Sequence, residues 1–329
     1  MDKIFLTISI IFSLIIGWFF FGLSSVADGS YLTQIEIPSG SGFSNIAESL
    51  NDSNIIRSKY VFMIYGVISG NAHQLKPGNY IISAGSSTPQ IIRTLSNGPV
   101  DDVKITFPEG VTVRDIDNML ADAGILPPNA INNFSISKLA SEYEFLNEVP
   151  SLEGFLFPDT YRFFRHSETE VVIRKFLDNF KEKAWPILKS SNQSKILILT
   201  TASLLEKEVI KYTDKQTVAG ILYKRAKIGM SLQIDATLSY AKCEGEFITC
   251  EDPRVLRSDL EVDSLYNTYK YSGFPPGPIG NPGEDSIRAA LNPAPSPYFY
   301  YLSDPKTKQT IFSKTLDEHN DNRVKYLTK

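Results

Sequence analysis

Cysteine and histidine are scarce in this sequence: Cys243 and Cys250 are the only cysteines, and His73, His166 and His319 the only histidines. They form no CxxC pair and no set with zinc-ligand spacing, so no metal is expected. No GxxxxGK[ST] or GxGxxG occurs, so no phosphate-cradling loop and no nucleotide cofactor is expected either. Basic excess is also missing, with 33 Lys+Arg against 37 Asp+Glu and a net charge of −4. That argues against a nucleic-acid partner, which calls for a basic face. Chemistry is left to oxygen side chains. The 42% hydrophobic and 21% charged residues are otherwise ordinary for a globular protein, and 329 residues suffice for more than one domain.

Long apolar runs are rare too, with one exception. Ile4–Leu23 (IFLTISIIFSLIIGWFFFGL) carries no charge, and at 1.5 Å per residue it spans roughly 30 Å, one hydrocarbon core. Lys3 and the α-amine precede it, so the positive-inside rule leaves that tip in the cytoplasm and sends the rest across. The expectation is a single-pass inner-membrane protein whose bulk lies outside the cytoplasm. The rival is a signal peptide cut after Ser25-Val26-Ala27, although its apolar core would be unusually long. In an oxidising space Cys243 and Cys250 could close a local disulfide; the alternative is two unpaired thiols in a variable insertion.

The expected organisation is a tip and anchor over 1–24, a linker over 25–34, a repeat region over 35–150 and a further domain over 151–329. The repeat is IEIPSGSGFSNIAESLNDSNII (35–56) against ITFPEGVTVRDIDNMLADAGIL (105–126), aligned without gaps. Each copy reads as a strand, a Pro-x-Gly turn and a helix, with Thr112 placed to cap the second. An apolar helix over 59–70, a strand after Lys76-Pro77-Gly78 and a helix opened by Ser87-Thr88-Pro89 follow the first copy. This strand–helix–helix–strand order resembles a LysM-like module; a spacer without a ligand fits it equally. The fold class is α+β throughout.

From residue 151 the pattern changes. A strand and loop (SLEGFLFPDTYRF) lead to a long helix near 168–190. The polar break Ser191-Asn192-Gln193-Ser194 offers an N-cap for the next, KILILTTASLLEKEVI, running to about Lys211. Thr213-Asp214-Lys215-Gln216 has the capping-box pattern, and Gly229 ends that helix. The last hundred residues read as irregular, with FPPGPIGNPG (274–283) too rich in proline for helix or central strand, then a short helix (286–291) and a strand (298–302).

Glu206 and Glu208 stand two apart on the KILILTTASLLEKE helix and so point about 200° apart. They cannot form a close carboxylate pair. Each shares a largely apolar face, so at least one is expected to be desolvated, with a carboxyl raised toward neutrality as a general acid requires. The alternative is a helix end leaving the core with both solvated. Geometry does not choose between them.

EGFLFPDTY (153–161), LLEKE (204–208), IGMSLQIDATLSY (228–240), YNTY (266–269), GFPPGPIGNPG (273–283), SIRAALNPA (286–294) and FSKTLDEHN (312–320) follow in one order. With the N-terminal anchor they resemble the endolytic murein transglycosylases, membrane-anchored enzymes with a LysM-like region. The resemblance implies a peptidoglycan lytic transglycosylase acting on glycan strands, beside peptidoglycan synthases, with no cofactor. It places the catalytic carboxyl on Glu208. Gln233, Asp235, Asn267 and Tyr269 fall on segments expected to hold sugar or the charged transition state; their alternative is turn and cap chemistry. Glu206, Glu153 and Asp159 are supporting or structural acids, Tyr266 and Tyr271 are stacking or buried aromatics, and His319 and Asn320 match a motif without a derivable role. Ala236 departs from the family's usual proline. The rival functions are a two-carboxylate muramidase, with Asp235 as second acid, and a non-catalytic glycan-binding protein.

Overall fold

Two apolar cores organise the chain, and no buried residue belongs to both. One is built around Ile35, Leu50, Phe62, Tyr80 and Ile92. The other runs from Phe107 to Ala290 through Ile116, Phe155, Phe176, Leu204 and Leu222. The computed structural model describes residues 2–27, 32–99, 102–147 and 149–327. It divides into two units, Met1–Asp102 and Val103–Lys329. Both mix helices with small two-stranded sheets, as the α+β class requires.

The first unit opens with α1 (Asp2–Leu23), then β1 (Leu32–Ile37), α2 (Phe43–Asp52), α3 (Lys59–Ile68), β2 (Gly78–Ser83) and α4 (Thr88–Asn97). The expected strand–helix–helix–strand order is present, with β1 and β2 antiparallel and Ile35 opposite Tyr80. Ser58 caps α3 by accepting from the Val61 amide, and Ser87 with Gln90 forms the capping box of α4.

Two expectations about the N-terminus change. Among the described residues no helix is long and apolar enough to cross a membrane. The linker over 25–34 is also shorter than expected. Leu32–Gln34 are strand, residues 28–31 lie outside the described residues, and Arg57 bonds the Ser24 hydroxyl and the Ser25 carbonyl. Gly22 lies against Val61 of α3.

The second unit comprises β3 (Asp102–Thr106), α5 (Val113–Asp122), β4 (Thr160–Phe164), α6 (Thr169–Lys183), α7 (Trp185–Lys189), α8 (Lys195–Glu208), α9 (Tyr212–Lys227), α10 (Asp235–Lys242), α11 (Glu284–Leu291), β5 (Tyr300–Ser303), β6 (Thr310–Ser313) and α12 (Leu316–Leu327). The second repeat copy, β3 and α5, therefore packs in the same core as the segments after residue 151. The helix expected over 168–190 breaks at Ala184, because Pro186 has no amide to continue the ladder.

Helix α8 is the axis of this unit. Ile198 to Leu205 are buried on all sides, the pattern of a helix surrounded by protein. Two of its buried polar residues are turned to local partners: Thr201 donates to the Leu197 carbonyl and Ser203 to that of Thr200, both at 2.8 Å. Of the expected polar break, Ser194 is the residue that caps it, accepting from the Leu197 amide. It stops at Glu208, earlier than the expected Lys211, because Val209 turns to extended backbone. The proline-rich stretch is a stiff loop held against it, with the Ile279 amide on the Ser203 hydroxyl at 3.0 Å. Gly280 is required there, since a Cβ would meet the Gly110 carbonyl oxygen at 2.4 Å.

Candidate active site

Termination of α8 puts Glu208 at the last helical position, where the chain leaves the core. Its carboxyl is partly buried and faces Tyr301 of β5 and Asp235 at the start of α10. Burial, with the Asp235 charge second, pushes the Glu208 carboxyl up to about 7; a hydrogen bond from the Tyr301 hydroxyl pulls the other way. The Tyr301 hydroxyl is itself raised well above its ordinary value, by burial first and the Glu208 charge second. Ser303 of the same strand donates to the Glu208 carbonyl at 3.1 Å, which ties β5 to the helix end.

Asp235 is exposed and receives the Tyr269 hydroxyl. The turn before it is held open by backbone strain: Gln233 is left-handed at φ 52°, a conformation that non-glycine residues keep only under constraint. The constraint comes from Thr268, whose carbonyl accepts from the Gln233 amide at 3.1 Å and whose hydroxyl accepts from the Ile234 amide at 3.0 Å. The Gln233 side-chain amide is left exposed beside Asp235. Asn267 is fully buried, and its amide donates to the Leu260 and Val262 carbonyls at 2.9 and 2.8 Å. It shapes the turn that presents Tyr269 and has no group free for a sugar.

Glu206 points the other way, as helical geometry requires. Its side chain and that of Lys215 are 8% and 5% exposed and meet at 2.8 Å, and the Gly283 amide donates to its second oxygen at 3.1 Å. Glu153 is buried where three segments meet. It accepts from the Val113 amide at 3.1 Å, Tyr240 at 3.1 Å and Asn281 at 3.3 Å. Burial pushes its carboxyl up to about 8. Asp159 pairs with Lys183 and Asn179, and the lysine bond holds it down at about 2. Thus Glu208, Asp235 and Tyr269 come together, with Gln233 exposed two residues before Asp235, while Glu206, Glu153, Asp159 and Asn267 are engaged in bonds that hold the unit together. Tyr266 packs tilted against Tyr240 with ring centroids 5.0 Å apart, and Tyr271 bonds Asp263. His319 stacks on Tyr300 at 5.3 Å, with its Nδ1 buried and unpartnered among the described residues; Asn320 is exposed.

Sequence reasoning missed Tyr301, Arg225 and Asn281. Asn281 is buried with all four hydrogen-bonding capacities in use, its oxygen on the Gly154 and Leu156 amides and its nitrogen on Val111 and Glu153. Its place in GNPG was the one available signal; Tyr301, in a run of tyrosines, had none.

The family profile described as YceG-like matches residues 35–325. The chain belongs to the YceG-like family. Among its relatives, the endolytic murein transglycosylase of Bacillus subtilis (strain 168) is 33% identical over 95% of this chain and 91% of its own. That of Streptococcus pneumoniae (strain D39) is 27% identical over 92% of this chain, which spans 59% of the pneumococcal protein. A crystal structure of a YceG-like protein from Listeria monocytogenes superposes with a TM-score of 0.57 at 33% identity, covering 89% of this chain and 99% of that one. This member also carries a Cys243–Cys250 disulfide, closing the short loop whose Gly245 carbonyl accepts from Thr112 at 2.5 Å.

Proposed function

We propose that this YceG-like protein is an endolytic peptidoglycan lytic transglycosylase, a lyase, with Glu208 as its one acid and base. The observation that carries the assignment is the Glu208 carboxyl, pushed up to about 7 and set between Asp235 and Tyr301 at the end of a buried helix. Such a group still holds a proton near neutral pH and can give it up. Family membership and the relatives' activity support the reaction class.

The substrate is the β-1,4 bond from MurNAc C1 to GlcNAc O4. Glu208 protonates that oxygen as the C1–O bond breaks. The same MurNAc residue's C6 hydroxyl bonds to C1, and its proton returns to the Glu208 carboxylate. The product is a 1,6-anhydro end; no water is consumed and the acid is regenerated. Because the nucleophile belongs to the substrate, its approach costs little entropy. The Asp235 carboxylate, oriented by Tyr269, offsets the positive charge that develops at C1. The exposed Gln233 amide is placed to bond sugar substituents.

The test is product analysis on defined glycan strands. Anhydro ends from the native chain and none from Glu208→Gln support the reading. The proximity of Asp235 favours one rival, a two-carboxylate hydrolase; reducing ends carrying the mass of one water would establish that instead.

We further place the enzyme at the cytoplasmic membrane, with the bulk of the chain outside it, among nascent strands and the synthases that make them. Support comes from α1, whose described side chains Phe12, Leu14, Phe20 and Phe21 are exposed and apolar. Alkaline carbonate washing should leave the chain in the membrane pellet; release into the wash would overturn this placement.

A further inference from the structure

Arg225 is a buried cation of α9, 6% exposed. Among the described residues no carboxylate pairs with it. Its Nε donates to the Phe299 carbonyl and its Nη1 to the Leu232 carbonyl, both at 2.7 Å, and the guanidinium lies 5.1 Å from the Tyr300 ring centroid. Those two carbonyls belong to the two segments that carry the partners of Glu208. Leu232 lies three residues before Asp235, and Phe299 two before Tyr301. Burying a charge without a counter-ion is costly, and a neutral side chain could fill the space. The fork geometry of arginine, with donors aimed in two directions, suits one purpose here: fixing two backbone segments against each other.

We propose that Arg225 is a positioning residue that sets the proton affinity of Glu208 by holding Tyr301 and Asp235 in place and by turning a positive charge toward the Tyr301 hydroxyl. The proposal rests on Glu208 being the acid. The Tyr301 hydroxyl and the Glu208 carboxyl influence each other's proton, the hydroxyl favouring the carboxylate, and the nearby guanidinium makes that hydroxyl the more acidic partner. The leaving oxygen takes a proton from Glu208, and the electron pair left on the carboxylate is stabilised through Tyr301 at that moment. The other groups facing this carboxyl are Asp235 of α10, Tyr269 of the YNTY turn and, beside Tyr269, Arg323 of α12. Glu206 is neutralised by Lys215 on the far side of α8.

The experiment is the pH profile of kcat/KM on defined glycan strands with the full chain. Activity requires protonated Glu208, so the native profile falls on the alkaline side. Arg225→Met and Tyr301→Phe should each move that limb upward by about half a pH unit, roughly threefold in proton affinity. The double variant should move it by less than the sum of the two single shifts, because both act in part through the Tyr301 hydroxyl. Arg225→Lys keeps the charge but cannot span both carbonyls; it should lower kcat and move the limb by less than Arg225→Met does. A folded Arg225→Met whose limb is unmoved overturns the proposal and leaves Arg225 a structural strut. Should that variant fail to fold, an unmoved limb in Tyr301→Phe overturns it equally. Turnover by Glu208→Gln would instead overturn the acid assignment beneath it.

Discussion

Glu206 and Glu208 are neighbours in sequence with opposite surroundings, and this predicts opposite mutant behaviour. Glu208→Gln removes the carboxyl that faces Tyr301; cleavage should fall by at least about 10³-fold, the scale of losing a proton donor and acceptor together, while the thermal transition stays intact. Glu206→Gln strands Lys215, which is 5% exposed, without its counter-charge. A broken buried pair costs about 3 kcal/mol, so this variant should melt earlier yet keep most of its turnover when folded. Thermal melts beside turnover assays read both. Helical spacing alone separated the two faces in the sequence. It could not assign the roles, because Tyr301 and Lys215 come from elements far along the chain. Glu153 makes a further residue-scale case. Its folded carboxyl lies at about 8 against an ordinary 4.5. Between those values the folded state holds a proton that the unfolded state releases, so the contribution is complete below about 4.5 and is lost as pH rises through about 8. Glu153→Gln should flatten the fall in stability across that window, as pH-stepped melts would record.

At the scale of elements, caps and apolar periodicity were legible where they were local. Ser194, Thr112 and Ser87 mark helix starts that the structure keeps. The capping box read at Thr213 does not form; α9 begins at Tyr212 with no side-chain cap. Helix α12 was invisible because it buries no residue and so has no apolar stripe to read. The disulfide loop lay between these cases: the spacing allowed the bond without requiring it. Its weight is now clear, since the loop it closes meets α5 through Thr112, Asn118 and Asp115. A cross-link seven residues apart restrains the unfolded chain by about 2 kcal/mol. Replacing Cys243 and Cys250 together by serine should lower stability by roughly that amount in denaturant titrations. Among the described residues the groups acting on the Glu208 carboxyl are Asp235 and Tyr301, neither of them in this loop, so its pH limb should not move.

For the whole molecule, the separation of the two cores decides what can fold alone. The internal repeat suggested one region reaching to residue 150, because sequence similarity reports shared local pattern and carries no information about which core a copy joins. The second copy supplies Phe107, Ile116, Leu120 and Ile125 to the core that α8 crosses. Each such side chain contributes about 1.5–3 kcal/mol by burial, against a typical net stability of about 5–15 kcal/mol. A fragment of residues 103–329 retains all of these groups together with Glu208, Asp235, Tyr269 and Tyr301. It should unfold in one cooperative step by circular dichroism and still produce anhydro ends from soluble strands. A fragment of residues 151–329 keeps the four site residues but loses the four apolar ones and the Val113 amide that Glu153 accepts. It should show no cooperative transition and no cleavage. Cooperative folding of the shorter fragment would mean that the second repeat copy packs on this core without being needed for it.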